Sequence, residues 1–231
     1  IMIKKGIFYL ICSVFISINV KGQNSVEKAE NELGNWLMYF GTHKISEKYS
    51  LHYETQLRNY EIISNFNQLL PRVGLNYHID ENSIVTAGYA FIPTQNEFDK
   101  GWGKEMVTEN RIWEQFILRN SINRVKIRHR YRLEQRWVKA GDITNYKNRA
   151  RYMLSLKLPI SKNEESPLFI SFYDEIFLNI SDNPFDQNRL FAALGFQVNK
   201  QMNIQLGYLR HRAGSLDLNR LQLALFLNTG N

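Results

Sequence analysis

The chain is almost free of cysteine, with Cys12 alone among its 231 residues. Cys12 lies in an N-terminal apolar stretch, and if that stretch is removed on export, no thiol remains. Disulfide bonds and thiolate metal sites are then excluded. Proline is also scarce, with five residues in the chain, and no linker rich in proline, glycine or serine divides it. We therefore expect one domain, since all-β barrels of this length commonly form a single unit.

Long apolar runs are missing as well. The longest candidate, residues 7–20, contains several polar side chains and is too short and too interrupted for a transmembrane helix. Lys4 and Lys5 precede it, as in the basic start of a secretory signal. We predict a signal peptide over residues 1–22, cleaved before Gln23.

A strong excess of one charge is absent too. Removal of residues 1–22 would take away three lysines and no acid, so that the formal net charge would fall from +7 to +4. That excess is too small to indicate a nucleic-acid partner. We expect residues 23–34 to form a polar lead-in, either loose or as a short helix, and residues 35–231 to form one barrel domain.

What the sequence does contain is alternation of charged and apolar side chains. It is clearest in residues 125–138, where one row is charged and the other is mainly apolar and aromatic. Successive strand side chains point to opposite faces, so a strand here has one face of each kind. The charged row consists of Lys126, Arg128, Arg130, Arg132, Glu134 and Arg136.

The same alternation recurs along the chain and gives eleven strand candidates, with no convincing helix after the leader. Residues 49–59, 69–79 and 146–160 are clear examples. Pro71 lies inside one of them, so we expect irregular pairing there. Residues 36–42 form a further short candidate to which the pattern assigns no partner.

The connections between these candidates are alternately short and long. The shorter ones are residues 80–82, 120–124, 161–166 and 199–201, and the longer ones are residues 94–109, 139–145, 181–187 and 212–218. This pattern is typical of bacterial transmembrane barrels. We predict an all-β, antiparallel, up-and-down transmembrane β-barrel of 10–12 strands, and the even counts of bacterial barrels favour ten or twelve.

Alternation alone does not distinguish a membrane barrel from a soluble one with an apolar interior. Several candidates alternate over eleven to fifteen residues, whereas soluble strands average about five to six and a bilayer crossing needs about nine to eleven. Tyrosine and tryptophan lie near strand ends, as in interfacial girdles. The predicted signal peptide and lack of thiols agree, so we favour the outer membrane.

On this interpretation the charged rows face the lumen. Glu54, Glu114, Glu134 and Glu175 are the candidate counter-charges. Arginine dominates, and its guanidinium group bridges several acceptors at once. We favour a closed polar network that fills the barrel interior, with an anion-conducting or ligand-binding lumen as the alternative.

Five segments carry a family resemblance: residues 36–58, 128–137, 149–154, 174–179 and 185–195. Over them the chain resembles the DUF2490 family, which is predicted to form outer-membrane β-barrels in Gram-negative bacteria. The family has no established activity, so the resemblance implies a fold and a location but no catalytic residues. With Arg128 added from the charged row, the candidate lumenal set is Arg128, Arg130, Arg132, Glu134, Arg136, Arg149, Arg151, Glu175, Asn188 and Arg189.

Catalytic motifs are hard to find. His52 and His78 occupy polar rows of neighbouring strands and could approach Ser50 or Glu54, which is the only basis for a lipid hydrolase. No histidine pair has the spacing of a zinc site. We expect no enzyme activity, no metal and no cofactor.

The sequence thus predicts a monomeric outer-membrane barrel with a structural, narrow-pore or binding role at the cell surface. Its partners would be outer-membrane lipid, the barrel-assembly machinery that recognises the last strand (residues 220–228), and a small solute or anion. The alternatives are a membrane-embedded lipid hydrolase and a soluble periplasmic barrel that binds a small ligand.

Overall fold

The computed structural model describes residues 29–98, 102–103, 105–161, 166–181 and 183–230. The predicted signal peptide lies outside these residues, and of the lead-in only residues 29–34 are described, with residues 29–31 helical. The strands are β1 (Gly34–Lys44), β2 (Tyr49–Asn59), β3 (Phe66–His78), β4 (Ser83–Thr94), β5 (Val107–Ile122), β6 (Val125–Ala140), β7 (Ile143–Pro159), β8 (Leu168–Asn179), β9 (Phe185–Gln197), β10 (Met202–Ala213) and β11 (Leu216–Thr229).

These strands close into a single barrel in which each pairs antiparallel with its neighbours along the chain. The closure is different: β1 pairs parallel with β11, from Gly34 opposite Arg220 to His43 opposite Thr229. The predicted all-β up-and-down barrel of 10–12 strands is confirmed, but the expectation of ten or twelve is wrong for the described residues. Residues 36–42, left without a partner by the sequence, lie in the closing strand β1.

The two ends of the barrel carry different connections, and we call them mouth A and mouth B. Mouth A carries connections 45–48, 79–82, 123–124, 160–167 and 198–201 and the end of β11; mouth B carries connections 60–65, 95–106, 141–142, 180–184 and 214–215 and the start of β1. With an odd number of strands, the chain enters the barrel at mouth B and leaves it at mouth A.

Two of the predicted long connections are wrong. Residues 139–145 and 212–218 are not loops, because β6 and β7 continue to a two-residue turn at 141–142, and β10 and β11 to one at 214–215. Gly141 and Gly214 adopt φ values of +57° and +59°. Glycine enters this left-handed region without steric cost, so it permits the tight turn where polarity alone predicted a loop.

The pairing of β3 with β4 is irregular, as Pro71 predicts. Gln68 pairs with Thr94 and Arg72 with Ala90, and the three residues of β3 between them have no partner in β4. Proline has no N–H group to donate to a neighbouring strand.

Apolar side chains inside the barrel form small clusters rather than a continuous core. One holds Trp113 with Leu70, Ala90 and Ile92, and another holds Trp36 with Phe191, Ala193 and Leu209. Two paired glycines, Gly74 and Gly88, lie directly against the Trp113 ring. A Cβ atom added at Gly88 would lie 2.5 Å from that ring, so the strands can approach the indole only where side chains are absent.

The outside of the barrel has the opposite character. Every strand exposes at least one large apolar or aromatic side chain, such as Leu75, Leu133, Leu194 and Leu206, while buried arginine and glutamate lie inside. Soluble monomers seldom expose apolar patches larger than a few hundred Å². Within the described part of the chain, no helix is long and apolar enough to cross a membrane.

Candidate functional site

The interior is centred on Glu134 of β6, whose side chain is enclosed and only 1% exposed. Its carboxylate accepts hydrogen bonds from Arg111 at 3.2 Å, Arg149 at 2.6 Å and Arg151 at 2.6 Å. These arginines come from β5 and β7, the two strands that pair with β6. The inward rows of three neighbouring strands therefore converge on one carboxylate.

Further carboxylates extend this arrangement across β5 to β9. Glu175 accepts hydrogen bonds from Arg130 and Arg151, both at 2.7 Å. Glu109 accepts them from Arg111 at 2.6 Å and from Arg136 at 2.8 Å. Asp186 lies 2.6 Å from Arg149 and Glu175 lies 3.9 Å from Arg189. We call the set the arginine network: Glu109, Arg111, Arg130, Glu134, Arg136, Arg149, Arg151, Glu175, Asp186 and Arg189.

A second polar group lies on β2 and β3. Glu54 accepts hydrogen bonds from Arg72 at 3.1 Å and from Gln56, and its carboxylate lies 3.3 Å from His52. Beside it, the Arg58 guanidinium stacks over the Trp36 ring at 3.9 Å from the ring centroid. Most charges on this side are therefore paired or stacked, as burial in a low dielectric requires.

Positive charge nevertheless exceeds negative charge in the lumen. The main cavity has a volume of about 1150 Å³, and among the described residues thirteen basic side chains and three carboxylates line it. Several buried guanidinium nitrogens have no hydrogen-bond partner in the part of the chain that the structure describes, including Nε of Arg72, Arg128, Arg130 and Arg189. An interior of this kind attracts anions and repels cations.

Towards mouth B the interior space is smaller. A second cavity of about 320 Å³ lies there, and both cavities are lined by Trp36, Arg58, Gln68, Gln187 and Arg189. These five side chains, which we call the partition, stand between the two spaces. The lumen therefore consists of a larger space towards mouth A and a smaller one towards mouth B, divided at the partition.

The segment before β1 lies against mouth B. Ala29 packs against Tyr60 and Leu218. The Glu30 carboxylate accepts a hydrogen bond of 2.9 Å from the backbone N–H of Asp217. Arg220 donates one of 3.2 Å to the backbone carbonyl of Glu32. The lead-in thus ends in a cap seated on the barrel rim.

The structure places the predicted lumenal set inside the barrel, with one exception. Asn188 lies on the outward row of β9, next to inward Arg189, and donates a 2.7 Å hydrogen bond to Asp174. Glu114, a predicted counter-charge, also points outward and accepts a 3.3 Å hydrogen bond from Gln135. Both assignments are wrong because neighbouring strand residues face opposite ways.

Sequence reasoning missed two members of the arginine network that it had assigned to loops. Glu109 and Asp186 lie within β5 and β9, which begin earlier than predicted. The available signal for Glu109 was its spacing, since it stands two residues before Arg111 and four before Trp113. A longer alternating strand would have placed all three on one face.

The predicted approach of Ser50 and His78 does occur. Ser50 Oγ lies 2.8 Å from His78 Nε2 and also accepts a 2.9 Å hydrogen bond from Asn76. Within the described residues, however, no carboxylate contacts His78 to orient it as a general base. Ser50 is also only 1% exposed. We therefore interpret Ser50, Asn76 and His78 as a hydrogen-bonded polar cluster.

Comparison with known proteins identifies the family of this chain. The model of the protein family of unknown function DUF2490 matches residues 33–222. The chain belongs to the DUF2490 family. An uncharacterised protein of Methylorubrum extorquens is 25% identical over 186 residues, which cover 75% of this chain and 78% of that protein. No solved structure matches the chain.

The DUF2490 match confirms the resemblance seen in the sequence. It runs from just before β1 into β11, and so it contains the arginine network, the partition and both interior tryptophans. Family membership assigns no activity to these residues. Their chemistry has to be inferred from their arrangement.

Proposed function

We propose that this DUF2490 protein is a monomeric outer-membrane β-barrel whose lumen is a binding chamber for a small anion. The observation that carries the proposal is its inverted polarity. Buried arginine–carboxylate contacts fill the interior, while large apolar side chains are exposed around the barrel on every strand. Lipid is the solvent in which such an outer surface is stable.

Aromatic pairs on the outer face support the membrane location. Tyr49 and Tyr77 pack at 5.4 Å near mouth A, and Trp137 and Tyr146 pack at 5.2 Å near mouth B. Aromatic rings concentrate at the two interfaces of a membrane barrel, with an apolar band about 25 Å tall between them. The two pairs are candidates for the edges of that band.

Cell fractionation tests the location directly. We expect the protein in the outer-membrane fraction, extractable only with detergent, and we expect the purified protein to migrate faster on gels before boiling than after it. A closed barrel resists SDS until heated, which causes the shift. Recovery of the mature protein in the soluble periplasmic fraction would overturn the membrane proposal and favour the soluble ligand-binding alternative.

A chamber, rather than a pore, should conduct poorly. In planar bilayers we expect the unchanged protein to give no steady ion current, because the partition and the N-terminal cap block mouth B. Replacing two partition residues, Trp36→Ala with Arg58→Ala, should produce anion-selective current. Trp137→Ala, an outward tryptophan, is the matched control and should stay silent.

Only protein that shows the heat-dependent mobility shift enters this comparison, so that misfolded material cannot mimic a pore. Steady current from the unchanged protein, equal to that of the double variant, would show that the lumen is open. The role would then be that of a narrow pore.

A further inference from the structure

The half of the main cavity nearest mouth A carries four basic side chains that lie outside the arginine network. Arg119 of β5, Lys126 and Arg128 of β6 and Lys157 of β7 all line the cavity. Arg119 stands directly opposite Arg128 across one strand pair, and Lys126 directly opposite Lys157 across the next. We call these four residues the basic cluster.

This register is unfavourable for the empty barrel. Like charges directly opposite each other on neighbouring strands destabilise a sheet. In the arginine network, carboxylates stand between the guanidinium groups. In the basic cluster two like-charged pairs lie side by side. A bound anion would reduce the repulsion within them.

No carboxylate among the described residues forms an ion pair with the basic cluster. Arg119, Lys126 and Arg128 have no side-chain hydrogen bond or ion pair to any described residue, and Nε of Arg128 is buried without a partner. Lys157 has neutral partners: it donates a 3.0 Å hydrogen bond to Gln197 and lies 3.6 Å from the Phe169 ring centroid.

Uncharged polar side chains line the same cavity. Asn82, Ser155, Ser171, Asn203 and Asn228 are among them, and they can donate hydrogen bonds to an oxyanion. The nearest interior carboxylates, Glu54 and Glu175, are already engaged by Arg72, Arg130 and Arg151. The cluster therefore offers cationic and neutral donors together, without a carboxylate paired to it.

We propose that the basic cluster is the site at which the chamber binds a small phosphate-bearing anion. The inference rests on the proposed role of the lumen as a binding chamber and names its ligand class. A phosphate group carries about −1.5 to −2 charges at neutral pH, which matches adjoining cationic pairs better than a monocarboxylate or chloride does. Arginine recognises its oxygens with two parallel N–H donors.

The dimensions agree with this ligand class. Small-molecule sites typically occupy about 300–1,000 Å³, and the main cavity, at about 1150 Å³, lies just above that range and has room for a small anion. The cluster lies on the open side of the partition, so a ligand that enters from mouth A meets it before the arginine network. Binding at this point needs no rearrangement of the buried ion pairs.

Calorimetric titration of the folded, detergent-solubilised barrel tests the site. The probes are inorganic phosphate and pyrophosphate at constant ionic strength, with chloride and acetate as the monovalent comparisons. We expect phosphate or pyrophosphate to bind, and Arg128→Gln to weaken binding at least tenfold. Arg212→Gln, which removes the same charge from an exposed position on the outside of the barrel, should bind as the unchanged protein does.

Equal binding by the Arg128→Gln protein, or equal heats from chloride and phosphate, would overturn the site. A second measurement guards against loss of folding. Without phosphate, Arg128→Gln should keep its heat-dependent gel shift and lose it at a higher temperature than the unchanged protein, because one uncompensated charge is gone. Only the unchanged protein should gain further heat resistance on adding phosphate, and a gain in both proteins would contradict the proposal.

These results separate the site from the broader function. If fractionation finds the protein in the periplasm but phosphate binding depends on Arg128, the site stands and the membrane proposal falls. If the protein lies in the outer membrane and its phosphate binding is unaffected by Arg128→Gln, the site falls and the membrane proposal stands.

Discussion

Replacing Glu134 by glutamine is expected to destabilise the barrel by about 3–5 kcal/mol, the usual cost of removing one partner from a buried ion pair. Glu134 accepts hydrogen bonds from Arg111, Arg149 and Arg151 and is enclosed by them. Glutamine has a similar shape but no charge, and its amide adds donors that face the guanidinium groups. Several arginines would then share an interior that has lost its central counter-charge.

Unfolding by urea in lipid vesicles, together with the temperature of the gel shift, measures this loss. Glu114→Gln is the matched control, since Glu114 lies on the neighbouring strand but points outward and accepts a single hydrogen bond from Gln135. We expect that change to stay within about 0.5 kcal/mol of the unchanged protein. Similar losses for both variants would mean that the arginine network contributes little to the stability of the barrel.

Glu134 also bears on how the barrel strands obtain their register. Arginines on β5 and β7 reach one carboxylate on β6, and a shift of one residue would turn every one of these side chains to the outer face. The arginine network therefore acts as a register lock across the middle of the sheet, in addition to filling the lumen.

The sequence predicted the strands and the faces of the clearest ones because a period of two is a local property. A mainly polar row and a mainly apolar row alternate in β2, β6 and β7, and their inward rows are those expected. Where alternation weakens, as around Trp113, the assignment failed, and Glu114 was taken for an interior residue. The assignment of Asn188 to the lumen failed for the same reason. Asn188 and Arg189 are both polar, so the pattern does not show which of the two points inward.

The closure of the barrel and the lengths of two of its connections could not be predicted from local sequence patterns. The parallel pairing of β1 with β11 joins residues nearly two hundred positions apart, and nothing in either strand distinguishes a parallel from an antiparallel neighbour. The turns at 141–142 and 214–215 lie among polar residues that resemble a loop, although the strands continue to the glycines. The charge excess near mouth A also depends on register, because only pairing sets Lys126 opposite Lys157.

Replacing Trp113 by alanine is the other change for which we expect a large effect, about 3–5 kcal/mol. The side chain is 0% exposed and packs with Leu70, Ala90 and Ile92. Its ring also lies under the Arg132 guanidinium, 4.8 Å from the ring centroid. Gly74 and Gly88 also lie against the ring, and these two positions have no side chain that could move into the space that alanine would leave.

Trp137→Ala provides the comparison, because Trp137 is 37% exposed on the outer face and its ring contacts Tyr146. Loss of one aromatic pair on that surface should cost about 1 kcal/mol. Circular dichroism during urea unfolding is the suitable readout, since tryptophan fluorescence changes with the substitution itself. Equal losses would show that the indole inside the barrel is not a packing centre. A much larger loss for Trp113→Ala would show that the lumen is held by apolar anchors as well as by ion pairs.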